Sequence, residues 1–162
     1  MTQSFLLRMF RPLVLGVCSM ASFHAVQAQE MHPITTPSIT ACNGGLVDSG
    51  GEGGPGYSNN EDFTTVICPD GPGLAISLQF VLFNLSVQGA EPFDVLSVYD
   101  GNSTSAPLLG TFDGTSNPPV LSGSFDNPTG CLTVRFTSNG TGTGAFARSE
   151  EHTSELQSPY VI

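Results

Sequence analysis

The chain has 162 residues, 39% of them hydrophobic and only 11% charged, and its formal net charge is −10. A chain of this length forms one hydrophobic core with short extensions rather than two separate domains. Arg135 is the only Lys or Arg between positions 29 and 147. Phosphate groups and anionic lipids are bound by clusters of Lys and Arg, so the composition argues against binding to nucleic acid or to an anionic membrane surface.

The histidines argue against an enzyme. A Ser-His-Asp triad, a Cys-His pair and a histidine-ligated metal centre all need an imidazole. The three histidines of the chain lie outside the region that we predict to fold, residues 42–147: they are His24, His32 and His152. No catalytic residues are therefore predicted.

Residues 1–28 have the pattern of a secretory signal peptide. Arg8 and Arg11 precede an apolar run over residues 12–23, and Ala28 ends a typical cleavage site. The apolar run is shorter than the ~20 residues that cross a bilayer as a helix. The sequence therefore predicts a secreted protein without a transmembrane segment.

Residues 42–147 are predicted to be all-β, after an extended linker at residues 29–41 that contains two prolines. Apolar residues alternate along residues 74–83 and again along residues 132–137, which is the period of a strand with one buried face. Gly- and Pro-containing turns such as Asp100-Gly101 separate these and several shorter candidate strands. Short strands at regular spacing are typical of a sandwich or barrel.

After removal of the signal peptide the chain keeps an odd number of cysteines, namely Cys42, Cys68 and Cys131. We predict a disulfide between Cys42 and Cys68, which enclose a loop of ~26 residues. Cys131 is then either a buried free thiol or the partner of a cysteine beyond residue 147.

The last residues differ in character from the body. Residues 148–158 (Arg-Ser-Glu-Glu-His-Thr-Ser-Glu-Leu-Gln-Ser) match one translated reading frame of a common sequencing adapter. We therefore predict that residues 148–162 are an artefactual tail and that the natural protein continues past Ala147.

Four blocks of the body stand out by their order and spacing: Cys42-Asn-Gly-Gly45, Gly56-Tyr-Ser-Asn-Asn-Glu-Asp62, Phe93-Asp-Val-Leu-Ser-Val-Tyr-Asp-Gly101 and Gly130-Cys-Leu-Thr-Val-Arg-Phe-Thr-Ser-Asn139. In these blocks the body resembles a CUB domain of the type found in secreted bacterial proteins. This resemblance implies a jelly-roll-like sandwich of two antiparallel sheets, here with an incomplete last strand. In similar bacterial sequences a cysteine closes that strand, and it would be the missing partner of Cys131.

The resemblance also implies a candidate calcium site. Many animal CUB domains bind one calcium ion, and their ligand positions fall on Tyr57, Ser86, Asp94 and Asn139 of this chain. The family's glutamate falls near Ser86 and its second aspartate on Asn139, and Asp100, Glu91 or Glu61 could compensate for the missing carboxylates. Calcium, the one candidate cofactor, therefore stays an open hypothesis.

The family implies a non-catalytic module that recognises a protein or a carbohydrate outside the cell. Two alternatives remain: the module could target a secreted hydrolase whose catalytic domain follows residue 147, or it could belong to a structural adhesin.

Overall fold

The computed structural model describes residues 29–89, 91 and 93–153, with side chains up to residue 147, and contains ten β-strands. The predicted signal peptide and residues 154–162 lie outside this part of the chain. The strands are β1 (Met31–Pro33), β2 (Ser38–Ala41), β3 (Gly44–Val47), β4 (Asp62–Pro69), β5 (Ala75–Asn84), β6 (Val95–Tyr99), β7 (Leu108–Phe112), β8 (Leu121–Ser122), β9 (Leu132–Thr137) and β10 (Ala145–Thr153). No membrane-spanning helix occurs among the residues that the structure describes.

The strands form two five-stranded sheets, in the orders β1-β3-β10-β5-β8 and β2-β4-β9-β6-β7. Their inward faces share one hydrophobic core, which confirms the predicted all-β sandwich. The sheets are not purely antiparallel as expected, because β1 pairs in parallel with β3 and β2 in parallel with β4. Both parallel strands come from the N-terminal segment and add an edge to each sheet.

The core follows the predicted alternation. Leu132, Val134 and Phe136 on β9 are fully buried, whereas Arg135 faces outward and forms two hydrogen bonds of 2.9 and 2.8 Å with Asp62 on β4. An aromatic cluster fills the space between the sheets: the Phe136 ring centroid lies 4.6 Å from that of Tyr57 and 5.0 Å from that of Phe146.

The segment at residues 29–41 is not the extended linker that we predicted. It supplies β1 and β2, and Ile34 and Ile39 are 0% and 3% exposed in the core. Pro33 is compatible with β1 because β1 is an edge strand, where a missing N–H group leaves no central ladder bond unmade, and Pro37 precedes β2. Ile34 and Ile39 are two isolated isoleucines that give no periodic signal, which explains the wrong prediction.

The last strand is longer than expected. β10 lies between β3 and β5 and continues through residues 148–153. The backbone of the last strand is therefore complete, in contrast to the prediction. The register with β5 shifts between Ala147 and Arg148, at the predicted end of the natural sequence. Strand pairing uses backbone groups, so an extended segment can occupy this position with little dependence on its side chains. The boundary of the natural domain stays a prediction.

The predicted Cys42–Cys68 disulfide is wrong, and so are both predicted fates of Cys131. Cys68 is bonded to Cys131, with 4.2 Å between their Cα atoms, and Cys42 is free and exposed. The antiparallel pairing of β4 with β9 places Ile67 opposite Leu132 and so brings Cys68 beside Cys131. The parallel pairing of β2 with β4 places Thr40, not Cys42, opposite Cys68.

Candidate functional site

The four residues of the predicted calcium site meet at one end of the sandwich. Tyr57 belongs to the long loop before β4, Ser86 follows β5, Asp94 precedes β6 and Asn139 follows β9. Because β6 and β9 are antiparallel, with Val95 opposite Thr137, the start of one strand and the end of the other share an edge. We call this surface, formed by residues 56–60, 86–89 and 138–141, the loop end.

Asp94 is the centre of a buried hydrogen-bond network. The Tyr57 hydroxyl donates to Asp94 Oδ2 and the Asn139 backbone N–H donates to Asp94 Oδ1, each at 2.7 Å. The Ser86 backbone N–H donates to Tyr57 Oη at 2.7 Å. Asp94 is 0% exposed, so its charge is compensated by protein donors rather than by water.

The network fixes the protonation of Tyr57. Burial raises the pKa of the Tyr57 hydroxyl far above its ordinary value, and the hydrogen bond to Asp94 raises it further. A phenol with a raised pKa stays neutral at physiological pH and therefore keeps the proton that it donates to Asp94.

A second layer of hydrogen bonds joins the loops nearer the surface. The Asn139 side chain donates from Nδ2 to the Gln88 carbonyl at 3.0 Å, and its Oδ1 accepts from the Thr141 N–H at 2.8 Å. Ser86 Oγ accepts from the Gln88 N–H at 3.2 Å. The loop after β5 and the loop after β9 are therefore connected directly, with Val87 47% exposed between them.

Glu61 also stabilises the loop end, in a structural role that the sequence did not indicate. Glu61 accepts from Ser49 Oγ at 2.6 and 2.8 Å and from the Ser58 N–H at 2.9 Å, while its own N–H donates to Ser138 Oγ at 2.9 Å. Ser58 is three residues away, whereas Ser49 and Ser138 are 12 and 77 residues away in sequence. Glu61 joins the Tyr57 loop to the end of β9.

The sandwich and its loop end correspond to a known domain. Residues 52–146 match the family model described as CUB domain. The chain belongs to the CUB family. CUB domains are generally non-catalytic recognition modules of extracellular proteins, and the disulfide agrees with an oxidising compartment.

Solved CUB-containing structures share the fold. The full extracellular region of zebrafish Gpr126/Adgrg6 is 18% identical with a TM-score of 0.55, covering 74% of this chain and 15% of that one. The CUB1-EGF-CUB2 domain of human MASP-1/3 is 19% identical with a TM-score of 0.53, covering 72% of this chain and 41% of that one. The MASP-1 CUB2 domain bound to Ca2+ is 17% identical with a TM-score of 0.52, covering 71% and 96%. A search of curated protein sequences gave no match.

The four predicted calcium ligands of this CUB domain supply one carboxylate to the loop end. Calcium takes six to eight oxygen ligands, which carboxylates, backbone and amide carbonyls and water supply. Asp94 is the one carboxylate among the four predicted residues, and both its oxygens accept protein hydrogen bonds. No group of three or more His, Cys, Asp or Glu side chains suited to a metal occurs in the described part of the chain. The oxygens of Ser86 and Asn139 are also engaged by backbone N–H groups.

Proposed function

We propose that this chain is a non-catalytic recognition module of a larger secreted protein and that it binds an extracellular protein or carbohydrate through the loop end. The observation that carries the proposal is the buried Tyr57–Asp94–Asn139 network, which holds loops from both sheets in one arrangement. A preorganised surface loses little conformational entropy on binding, which is the property that a recognition site needs. The predicted signal peptide and the disulfide support export.

The buried carboxylates support a role without catalysis. A carboxyl group that acts as a general acid near neutral pH needs a raised pKa. Burial raises the pKa of Asp100, but the hydrogen bonds from Ser124 and Asn127 outweigh it, so the pKa of Asp100 is lowered. Asp48 accepts hydrogen bonds from the Gly50 and Phe146 N–H groups at 2.9 and 3.2 Å. These acids act as structural acceptors for loop and strand backbone.

Targeting of a secreted hydrolase and a place in an adhesin are narrower forms of this proposal. In both, the visible module binds and other parts of the protein determine the outcome. The multidomain structures that share the fold, of which this chain spans 15% and 41%, support membership of a larger protein.

Replacing Val87 by Glu should weaken binding at the loop end without unfolding the domain. Val87 is 47% exposed there, and Phe125, 71% exposed beside the Asp100 loop at the opposite end, gives the matched control Phe125→Glu. The full chain is tested against a glycan array and a panel of immobilised extracellular-matrix proteins. We expect a bound probe whose affinity falls about tenfold or more with Val87→Glu only. An equal loss in both variants, a loss with Phe125→Glu alone, or no bound probe would contradict the proposal.

We also propose that the loop end is ordered by hydrogen bonds in place of calcium. A ligand that binds the native state with a concentration far above its Kd raises the melting temperature. We therefore expect the melting temperature of the full chain in 2 mM CaCl2 and in 2 mM EDTA to agree within about 1 °C. Differential scanning calorimetry at low and physiological salt makes the comparison, with MgCl2 as the control for ionic strength. A rise of several degrees with CaCl2 alone would restore the calcium hypothesis.

A further inference from the structure

A cavity of about 450 Å³ lies beside the loop end, on the outer side of the sheet that contains β6 and β7. The pairing of Leu96 with Phe112 places the start of β6 next to the end of β7, and the cavity is formed there. Phe93 and Val95 give it an apolar wall. Its other lining residues are polar: Glu91, Thr111, Asp113, Thr115 and Ser116.

The Asp113 carboxylate is held in place through one oxygen and keeps the other for a ligand. Asp113 Oδ1 accepts from the Thr115 N–H at 3.1 Å and from the Thr115 hydroxyl at 2.7 Å. These hydrogen bonds lower the pKa of Asp113, so the group is ionised at neutral pH. Among the groups that the structure describes, none donates to Asp113 Oδ2. An ionised carboxylate oxygen in this position is a strong acceptor for a hydroxyl group.

A row of polar side chains leads from the cavity across the sheet. Thr111 is opposite Ser97, with 3.3 Å between their hydroxyl oxygens. Arg135 follows on β9 and Thr64 on β4. On β6 and β9 the residues that alternate with this row are buried in the core, so the row faces outward. Successive members are one strand spacing apart, about 4.8 Å, which is close to the length of one hexose unit.

We propose that the cavity binds a neutral carbohydrate and that the polar row continues the site along an oligosaccharide chain. A sugar ring has apolar C–H faces and a rim of hydroxyl groups. Phe93 packs against a ring face, Asp113 Oδ2 accepts from one hydroxyl, and the Thr111 hydroxyl binds another. An apolar wall with a few placed polar groups is the usual composition of a small-ligand site. This surface is separate from the loop end and extends away from it over β6, β9 and β4.

The chemistry of the site favours a neutral sugar over a basic peptide or an acidic polysaccharide. A sugar hydroxyl both donates and accepts, so it uses the carboxylates of Glu91 and Asp113 as well as the neighbouring Thr and Ser hydroxyls. An ammonium or guanidinium group only donates. The two carboxylates repel an acidic polysaccharide. The polar row is electrically neutral, because Arg135 is paired with Asp62 at 2.8 Å.

The test is a calorimetric titration of the full chain with cello-, chito- and manno-oligosaccharides of increasing length. We expect one series to bind, with an affinity that rises up to about four units, because the row crosses four strands. Asp113→Asn keeps an oxygen for Thr115 but replaces the free oxygen by an NH2 group, which does not accept. It should lower the affinity about tenfold. The matched control Asp126→Asn, an exposed acid at the opposite end, should leave the affinity unchanged.

A second variant and two further probes keep the proposal falsifiable. Thr111→Ala removes one exposed hydroxyl and should lower the affinity a few-fold, and circular dichroism verifies that each variant is folded. A loss with Val87→Glu and none with Asp113→Asn would assign the sugar to the loop end and overturn this inference. So would the absence of binding in all three series, an equal loss with Asp113→Asn and Asp126→Asn, or binding of a lysine-rich peptide in place of the oligosaccharides.

Discussion

The double variant Cys42→Ser/Cys131→Ser should have a free energy of unfolding about 4 kcal/mol lower than that of Cys42→Ser alone. The Cys68–Cys131 bond joins positions 63 residues apart, and its loss restores that conformational freedom to the unfolded chain. Cys42 is replaced in both chains so that it cannot form an alternative bond with Cys68. Urea unfolding of the full chain, followed by tyrosine fluorescence and circular dichroism, measures the difference.

Cys42→Ser provides the control for this prediction. Cys42 is exposed and outside the disulfide, so its replacement should change the free energy of unfolding by less than about 0.5 kcal/mol relative to the natural chain. The opposite pattern, a large loss with Cys42→Ser and no further loss on adding Cys131→Ser, would mean that Cys42 and Cys68 form the structural bond. The comparison therefore decides between the pairing in the structure and the pairing that cysteine spacing predicts.

The wrong Cys42–Cys68 prediction shows which property of a disulfide cysteine spacing does not determine. Spacing gives the entropy of closing a loop, which is a property of the unfolded chain. The folded partner depends on which strand lies beside β4 and in which register, and β9 is more than 60 residues away in sequence. The odd number of cysteines indicated that one of them has no partner among the other two, but it did not identify which one.

Some of the strands could be predicted from the sequence and others could not. The segments at residues 74–83 and 132–137 were predicted correctly as strands. The predicted alternation along residues 74–83 was wrong in detail, because β5 buries Ala75 to Leu78 consecutively and leaves Leu82 48% exposed. β1 and β2 were missed because each is only three or four residues long and contributes little apolar pattern of its own. Their formation depends on the sheet edges that β3 and β4 offer, which is tertiary information.

At the loop end, resemblance to the family located residues that physical patterns alone did not. Tyr57, Ser86, Asp94 and Asn139 do come together, but through hydrogen bonds in which two of the three donors around Tyr57 and Asp94 are backbone N–H groups. Backbone donors have no signature in a sequence. A sequence pattern therefore does not show whether such residues meet around a metal ion or through hydrogen bonds.

Replacing Asp94 by Ala should lower the free energy of unfolding by about 3 kcal/mol and the melting temperature by about 10 °C. The carboxylate is fully buried, and its removal leaves the Tyr57 hydroxyl and the Asn139 N–H without their acceptor. Buried donors without partners are costly because they have also lost water. The exposed acid Asp126 gives the matched control, and Asp126→Ala should change the melting temperature by no more than about 2 °C.

Asp94→Asn separates a structural acceptor from a metal ligand. The amide oxygen can still accept from the Asn139 N–H, but the NH2 group then faces Tyr57 Oη, whose own proton loses its acceptor. We expect a loss of about 1 to 2 kcal/mol, smaller than that of Asp94→Ala, and the same value in CaCl2 and in EDTA. Calorimetry of both variants in both buffers makes the measurement. If the cost of Asp94→Asn appears only in CaCl2, Asp94 acts through calcium, because hydrogen bonds alone would give the same cost in both buffers.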